Sequence, residues 1–212
     1  MYGNARVSFF EKVLSEALSA SSKGWGALKF LVMFKKKSIE AVPLPSVPQS
    51  GFESKLIKDD HSLTLYPSDA PQGRTPVRVY GDGNCLYRTI SLSLFGCEKH
   101  HVEIRVRTLF ELVHNEKLYS NEAVLGKMSE SAFLMMYFFE SSLSNECRET
   151  GNATKALQNE ILKTAKLGEY SSLLHIYAVC NAMICRPIRS ISPEVINAAI
   201  NRDYHNQLIK PL

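Results

Sequence analysis

The chain has 212 residues, 45% of them hydrophobic, and a formal net charge of +4. That length supports one well-cored domain with extensions and is thin for two. The charge is too mild to argue for nucleic acid, and the excess is local: residues 1–50 carry seven basic against three acidic side chains, which leaves the remainder near neutral.

From the N-terminus, Phe10, Val13, Leu14, Ala17 and Leu18 predict an amphipathic helix over 6–18. Such a helix packs on the domain or a neighbour in preference to a membrane. Residues 27–34 are apolar but far short of the roughly 20 residues a membrane span needs. Lys35-Lys36-Lys37 reads as a solvated turn, since three lysines are too short a run for a nuclear signal. Residues 38–76 hold Pro43, Pro45, Pro48, Pro67, Pro71 and Pro76. Prolines at this density predict a linker or extended arm, with a short edge strand at 63–66. His61, beside Asp59 and Asp60, reads as an exposed polar turn and not as a metal site.

Residues 77–91 are the chemically suggestive stretch. Val77 and Val79 alternate with Arg78 and Tyr80, which predicts a half-buried strand. Gly81-Asp82-Gly83-Asn84 is dense turn chemistry. Leu86, Ile90 and Leu94 then predict a helix that stops at Gly96. Cys85 falls at the helix start, where unpaired N–H groups and the helix dipole favour a thiolate nucleophile. The N–H groups of the turn can also face an oxyanion.

Beyond it, Val102, Val106, Leu109, Phe110 and Val113 predict a second amphipathic helix, preceded by His100 and His101. Residues 121–167 read as helical pieces around a polar loop at 140–152. Leu173, Leu174, Tyr177, Val179 and Cys180 predict a buried helix carrying His175, and residues 187–191 predict a central strand. Five cysteines, Cys85, Cys97, Cys147, Cys180 and Cys185, show no CxxC pair and no disulfide-like spacing. They imply a reducing compartment, cytoplasmic or nuclear, and not secretion. Cys180 and Cys185 lack a second His or Cys pair, so no metal site is expected.

Asp82-Gly83-Asn84-Cys85-Leu86-Tyr87-Arg88 resembles, without a break, the nucleophile motif Asp-Gly-Asn-Cys-Leu-aromatic-Arg of the ovarian-tumour (OTU) cysteine proteases. His101-Val-Glu-Ile-Arg105 resembles that family's His-x-x-Leu/Ile-Arg. Residues 168–191 resemble its later helix-then-strand segment, ending in Pro-Ile-x-x-Ile, with Tyr170-Ser171 where the family often carries Trp-Gly. The resemblance covers residues 76–192.

It implies an α/β (α+β) fold, papain-like, with a small mixed β-sheet flanked by helices. The expected organisation is a helical extension over 1–37, a Pro-rich linker or arm over 38–75 and an OTU-like domain over 76–212. The implied activity is hydrolysis of isopeptide bonds in ubiquitin or ubiquitin-like conjugates. Cys85 is the nucleophile, Asp82 shapes the oxyanion loop, and Gly83 and Asn84 complete the turn. No cofactor is implied; the partner is ubiquitin or polyubiquitin, with no nucleic acid and no membrane. The family's base is a His after the Pro-Ile strand, and this chain offers His205 there, with Asp203 or Asn206 to orient it. The order Tyr204-His205-Asn206 departs from the family's His-aromatic-Asn/Asp, and Leu212 follows closely. Two readings follow: His205 is the base of a compact variant, or the chain is C-terminally truncated or a pseudoenzyme that binds ubiquitin without cleaving it.

Overall fold

The computed structural model describes residues 3–46, 56–66, 68, 71–120, 153–183, 187–189 and 208–211. Helices α1 (Gly3–Ser21) and α2 (Trp25–Glu40) form a hairpin, and Gly24 makes the turn at φ 105°, a value open to glycine without strain. The stripe Phe10, Val13, Leu14 and Ala17 is buried against Leu28, Val32 and Ile39 of α2. The tract 27–34 therefore lies in a core helix, and no helix among the described residues is long and apolar enough to cross a membrane.

The hairpin packs on α5 (His101–His114), the helix that every larger element touches. One flank of α5 (Val102, Val106, Leu109, Phe110, Val113) shares a core with α1, α2, α7 (Ala153–Thr164) and α8 (Leu173–Ala182). The other flank places Ile104 in a smaller core with Tyr87, Ile90 and Phe95 of α4 (Cys85–Phe95), and with Val179 and Met183. Each large apolar side chain buried this way contributes about 1.5–3 kcal/mol. A 3-10 turn (Glu98–His100) leads into α5, and α6 (Glu116–Tyr119) follows it.

A buried ionic cluster joins the hairpin to α5. Arg6 donates to both Glu103 oxygens at 2.6 Å and to the Pro43 carbonyl at 2.5 Å. Arg107 donates to Glu103 at 2.9 Å and to the Val42 carbonyl at 2.6 Å. Glu103 is thus flanked by two arginines, and both stack on Phe10. Their remaining donors tie down the chain that leaves α2.

Three local expectations are corrected. Lys35-Lys36-Lys37, expected as a solvated turn, continues α2, and Lys35 pairs with Glu16 of α1 across the hairpin. The edge strand expected at 63–66 is replaced by α3 (Asp60–Thr64), because Asp59 caps it by accepting from Ser62 N–H and Oγ–H at 3.3 and 2.8 Å. The strand expected at 77–80 is only an isolated antiparallel bridge between Lys58 and Val77. Its side chains do alternate, with Val77 and Val79 half-buried and Arg78 and Tyr80 exposed. However, its ladder ends after Asp59 N–H to Pro76 O and Arg78 N–H to Ile57 O. The only sheet among the described residues pairs β1 (Ile188–Arg189) antiparallel with β2 (Leu208–Ile209). The fold is α+β but dominated by helix, and the expected small mixed sheet is here two short antiparallel strands.

His175 illustrates how tightly this frame is satisfied. Its Nδ1 accepts from Ser172 N–H at 2.9 Å, closing a capping box at the start of α8. Its Nε2 lies 2.8 Å from Thr164 Oγ1, which donates on to the Glu160 carbonyl at 3.3 Å. This chain of bonds requires the neutral Nε2–H tautomer. Burial pushes the His175 pKa down from 6.5 to about 4.

Two outcomes are expected. Glu103→Ala strands Arg6 and Arg107 without their counter-charge and should lower stability by about 3–5 kcal/mol in urea unfolding. Between pH 6.5 and 4 the unfolded chain binds a proton that folded His175 refuses, so stability falls as pH drops through that window. His175→Gln, with no proton to refuse, should flatten this part of the pH–stability curve.

Candidate functional site

Cys85 is the first residue of α4 and is half-buried, behind a turn whose Gly83 has φ 77°. Gly83 is needed twice over. The positive φ excludes most side chains, and a Cβ added there would lie 1.7 Å from the Gly168 carbonyl oxygen. The turn before Cys85 is therefore pressed against the loop after α7, backbone to backbone.

Two arginines bracket the turn. On one side Arg88, one helical turn after Cys85, grips Asp82 through Nε to Oδ1 at 3.1 Å and Nη2 to Oδ2 at 2.6 Å. Its Nη1 reaches Glu98 at 3.2 Å, and its plane covers the Tyr80 ring at 5.3 Å. The Arg88 guanidinium holds the Asp82 carboxyl well below the usual carboxylate range. Asp82 also accepts the Asn84 N–H at 3.0 Å, which closes an Asx turn. The charge at Asp82 is thus spent on shaping the turn.

On the other side Arg105, 1% exposed, donates to the Gly83 carbonyl at 3.2 Å. It also donates to the carbonyls of Thr164, Lys166 and Glu169 at 3.1, 2.8 and 2.6 Å. Its guanidinium stacks on the Tyr87 ring at 4.5 Å. Asn84, 2% exposed, adds a third link: its Oδ1 accepts the Gly168 N–H at 3.2 Å and its Nδ2 donates to the Asp82 carbonyl at 3.4 Å. Among the turn N–H groups, that of Asn84 is occupied by Asp82. That of Cys85, at the first helical position, has no partner within the helix and suits an oxyanion.

The histidines sort clearly. His101 opens α5, and its Nδ1 sits 2.9 Å from the Glu98 carbonyl; burial lowers its pKa. His100 is buried edge-to-face on Phe95 at 5.4 Å, 3.9 Å from Glu103, and burial lowers its pKa too. His175 has both ring nitrogens engaged elsewhere. Among the described residues no imidazole is bonded to the Cys85 thiol. His205, with Asp203 and Asn206, lies outside the described residues, as do Cys147 and Cys185. Among the described residues, no group of three or more His, Cys, Asp or Glu side chains could hold a metal ion.

Sequence reasoning missed the Arg105 clamp and the close approach of Gly168. A signal was present: a charged residue between Ile104 and Val106, in a run that the helical period buries, has to find partners.

Comparison with known proteins gives the family. The vertnins of Ailuropoda melanoleuca and Homo sapiens are each 28% identical over 211 residues, covering 98% of this chain and 29% of their own length. That of Mus musculus is 28% identical over 214 residues, covering 98% and 28%. The chain thus spans less than a third of the length of these relatives. No solved structure matches it. The family described as "Vertnin, OTU domain" matches residues 76–212, well over half of the chain. By that match the chain belongs to the vertnin OTU-domain family.

Proposed function

We propose that the chain is an OTU-like cysteine hydrolase acting on isopeptide bonds of ubiquitin or ubiquitin-like conjugates. The observation that carries this reading is the setting of Cys85: a half-buried thiol at a helix start, behind a turn braced by Arg88 and Arg105. Cys85, its thiol proton passed to the base, attacks the carbonyl carbon, and the negative charge moves to its oxygen. The Cys85 N–H is the foremost donor to that oxygen, with other N–H groups of residues 82–85 in support. The C–N bond then breaks, the lysine amine leaves with a proton from the base, and a thioester remains. Water, deprotonated by the same base, hydrolyses it and frees the thiol. His205 is the proposed base, oriented by Asp203 or Asn206. Asp82 holds the turn and takes no proton, because its carboxylate is already bound by Arg88.

A second reading is an OTU-fold module that binds ubiquitin without cleaving it. The order Tyr204-His205-Asn206, which departs from the family's His-aromatic-Asn/Asp, favours it. Under either reading the partner is ubiquitin or polyubiquitin, and a free-thiol nucleophile requires a reducing compartment.

A ubiquitin–propargylamide probe separates the two. Covalent labelling is expected to vanish in Cys85→Ala, to survive in Cys97→Ala and to slow by about 100-fold or more in His205→Ala. Ubiquitin binding without any labelling selects the binding module instead.

A further inference from the structure

The apolar tract at 27–34 is only half used by the core. Leu28 and Val32 point inward and are buried. Phe30, Met33 and Phe34 point outward and are 73%, 66% and 75% exposed. They are spaced i, i+3 and i+4, so at about 100° per residue they share one side of α2. Gly26, one turn earlier on that side, has open space where a Cβ would stand. The inner face of α2 already packs on α1 and α5, so the core gives these three side chains no role. Together they offer about 400 Å² of apolar surface, a patch of the size that marks an interaction site on a monomer.

The charges around the stripe decide what covers it. Lys37 continues it one turn on, Lys29 flanks it, and Lys23 precedes α2. Lys35 is turned to Glu16, Lys36 to His114 and Glu40, and Lys29 reaches Glu116 at 3.3 Å. Lys23 and Lys37 have no such partner among the described residues. The rim is therefore basic. A second copy fits it badly. In an antiparallel pairing about Met33, Lys37 of one copy meets Lys29 of the other; in a parallel one, Lys37 meets Lys37. The patch is also about half of the roughly 800 Å² that each partner of a stable dimer buries. A lipid surface fits no better, since anionic bilayers are held by clusters of about four to eight basic side chains and here two are unpaired. A partner helix fits: its apolar face covers the stripe, and carboxylates on its flanks meet Lys23 and Lys37.

We infer that the outer face of α2 is a docking surface for an acidic amphipathic helix of a partner protein. Phe30, Met33 and Phe34 are its anchors, and Lys23 and Lys37 select the sign of the partner's charge. The inference concerns the hairpin alone and does not rest on the hydrolase reading.

The test uses the full chain and a fluorescein-labelled, hydrocarbon-stapled helix with leucine at i, i+3, i+4 and i+7 and glutamate on both flanks. Fluorescence anisotropy at low salt should show saturable binding with a dissociation constant of about 100 µM or tighter, weakening as salt rises. Phe30→Ser and Phe34→Ser, whose rings lie outside the core, should leave the melting temperature in place and weaken binding about tenfold each. Lys37→Glu should weaken binding of the acidic helix as well. A version of the helix with lysine in place of glutamate should reverse that order and bind Lys37→Glu better than wild type. Equal affinity for the acidic and basic helices, affinity indifferent to Phe34→Ser, or no saturable binding overturns the inference. So does a fall in the melting temperature of Phe34→Ser, which would assign the ring to the core. Two controls name the rival occupants. A wild-type dimer in sedimentation that Phe34→Ser dissociates assigns the face to a second copy. Flotation with phosphatidylcholine–phosphatidylserine vesicles that Phe34→Ser abolishes assigns it to a lipid surface. Either result overturns the inference.

Discussion

One buried cation organises the region around Cys85. The Arg105 guanidinium lies inside the protein, where an unsatisfied charge is expensive, so the backbone around it is arranged to present oxygens. The carbonyls of Gly83, Thr164, Lys166 and Glu169 converge on it, and the Tyr87 ring closes one face. Two segments more than 80 residues apart are thereby held edge to edge. The contact is so close that only glycine fits at position 83.

The same helix carries a second buried charge facing elsewhere. Residues 103 and 105 are about 200° apart around an α-helix. Glu103 therefore meets Arg6 of α1 while Arg105 meets the turn before α4. Through these two residues α5 links the N-terminal hairpin to the turn before Cys85. The hairpin's apolar stripe shares its core with α5, α7 and α8, and the vertnin relatives align over 98% of this chain, hairpin included. The hairpin is thus structurally continuous with the region that carries the family match at 76–212.

Around Cys85 the polar groups have divided duties. Asp82 is committed to Arg88 and to the Asn84 N–H, and Asn84 is committed to Gly168. His101 and His175, both plausible bases on chemistry alone, are held by the Glu98 carbonyl and by the Ser172–Thr164 pair respectively. Residues that share a neighbourhood with Cys85 are here mostly engaged in holding its turn still.

Much of this was legible in the residues. Phe10, Val13, Leu14 and Ala17 announced α1; Leu86 to Gly96 announced α4; Val102 to Val113 announced α5. Helical period is a local property, set by which side chains recur on one face, and the turn at 81–84 was equally local, because Gly and Asn carry their own conformational preferences. Position 77–80 looked like a strand and position 63–66 like another. Strand formation, however, depends on a partner, and the first found one bridge while the second was claimed by the Asp59 cap. By itself, then, the sequence determined α1, α4 and α5, the glycine turn and the cysteine at the head of α4. The tertiary structure alone decided which carbonyls meet Arg105, which carboxylate meets Arg6 and which loop lies against Gly83. These are contacts between distant segments, made because buried charges must be satisfied by whatever groups the fold brings to them.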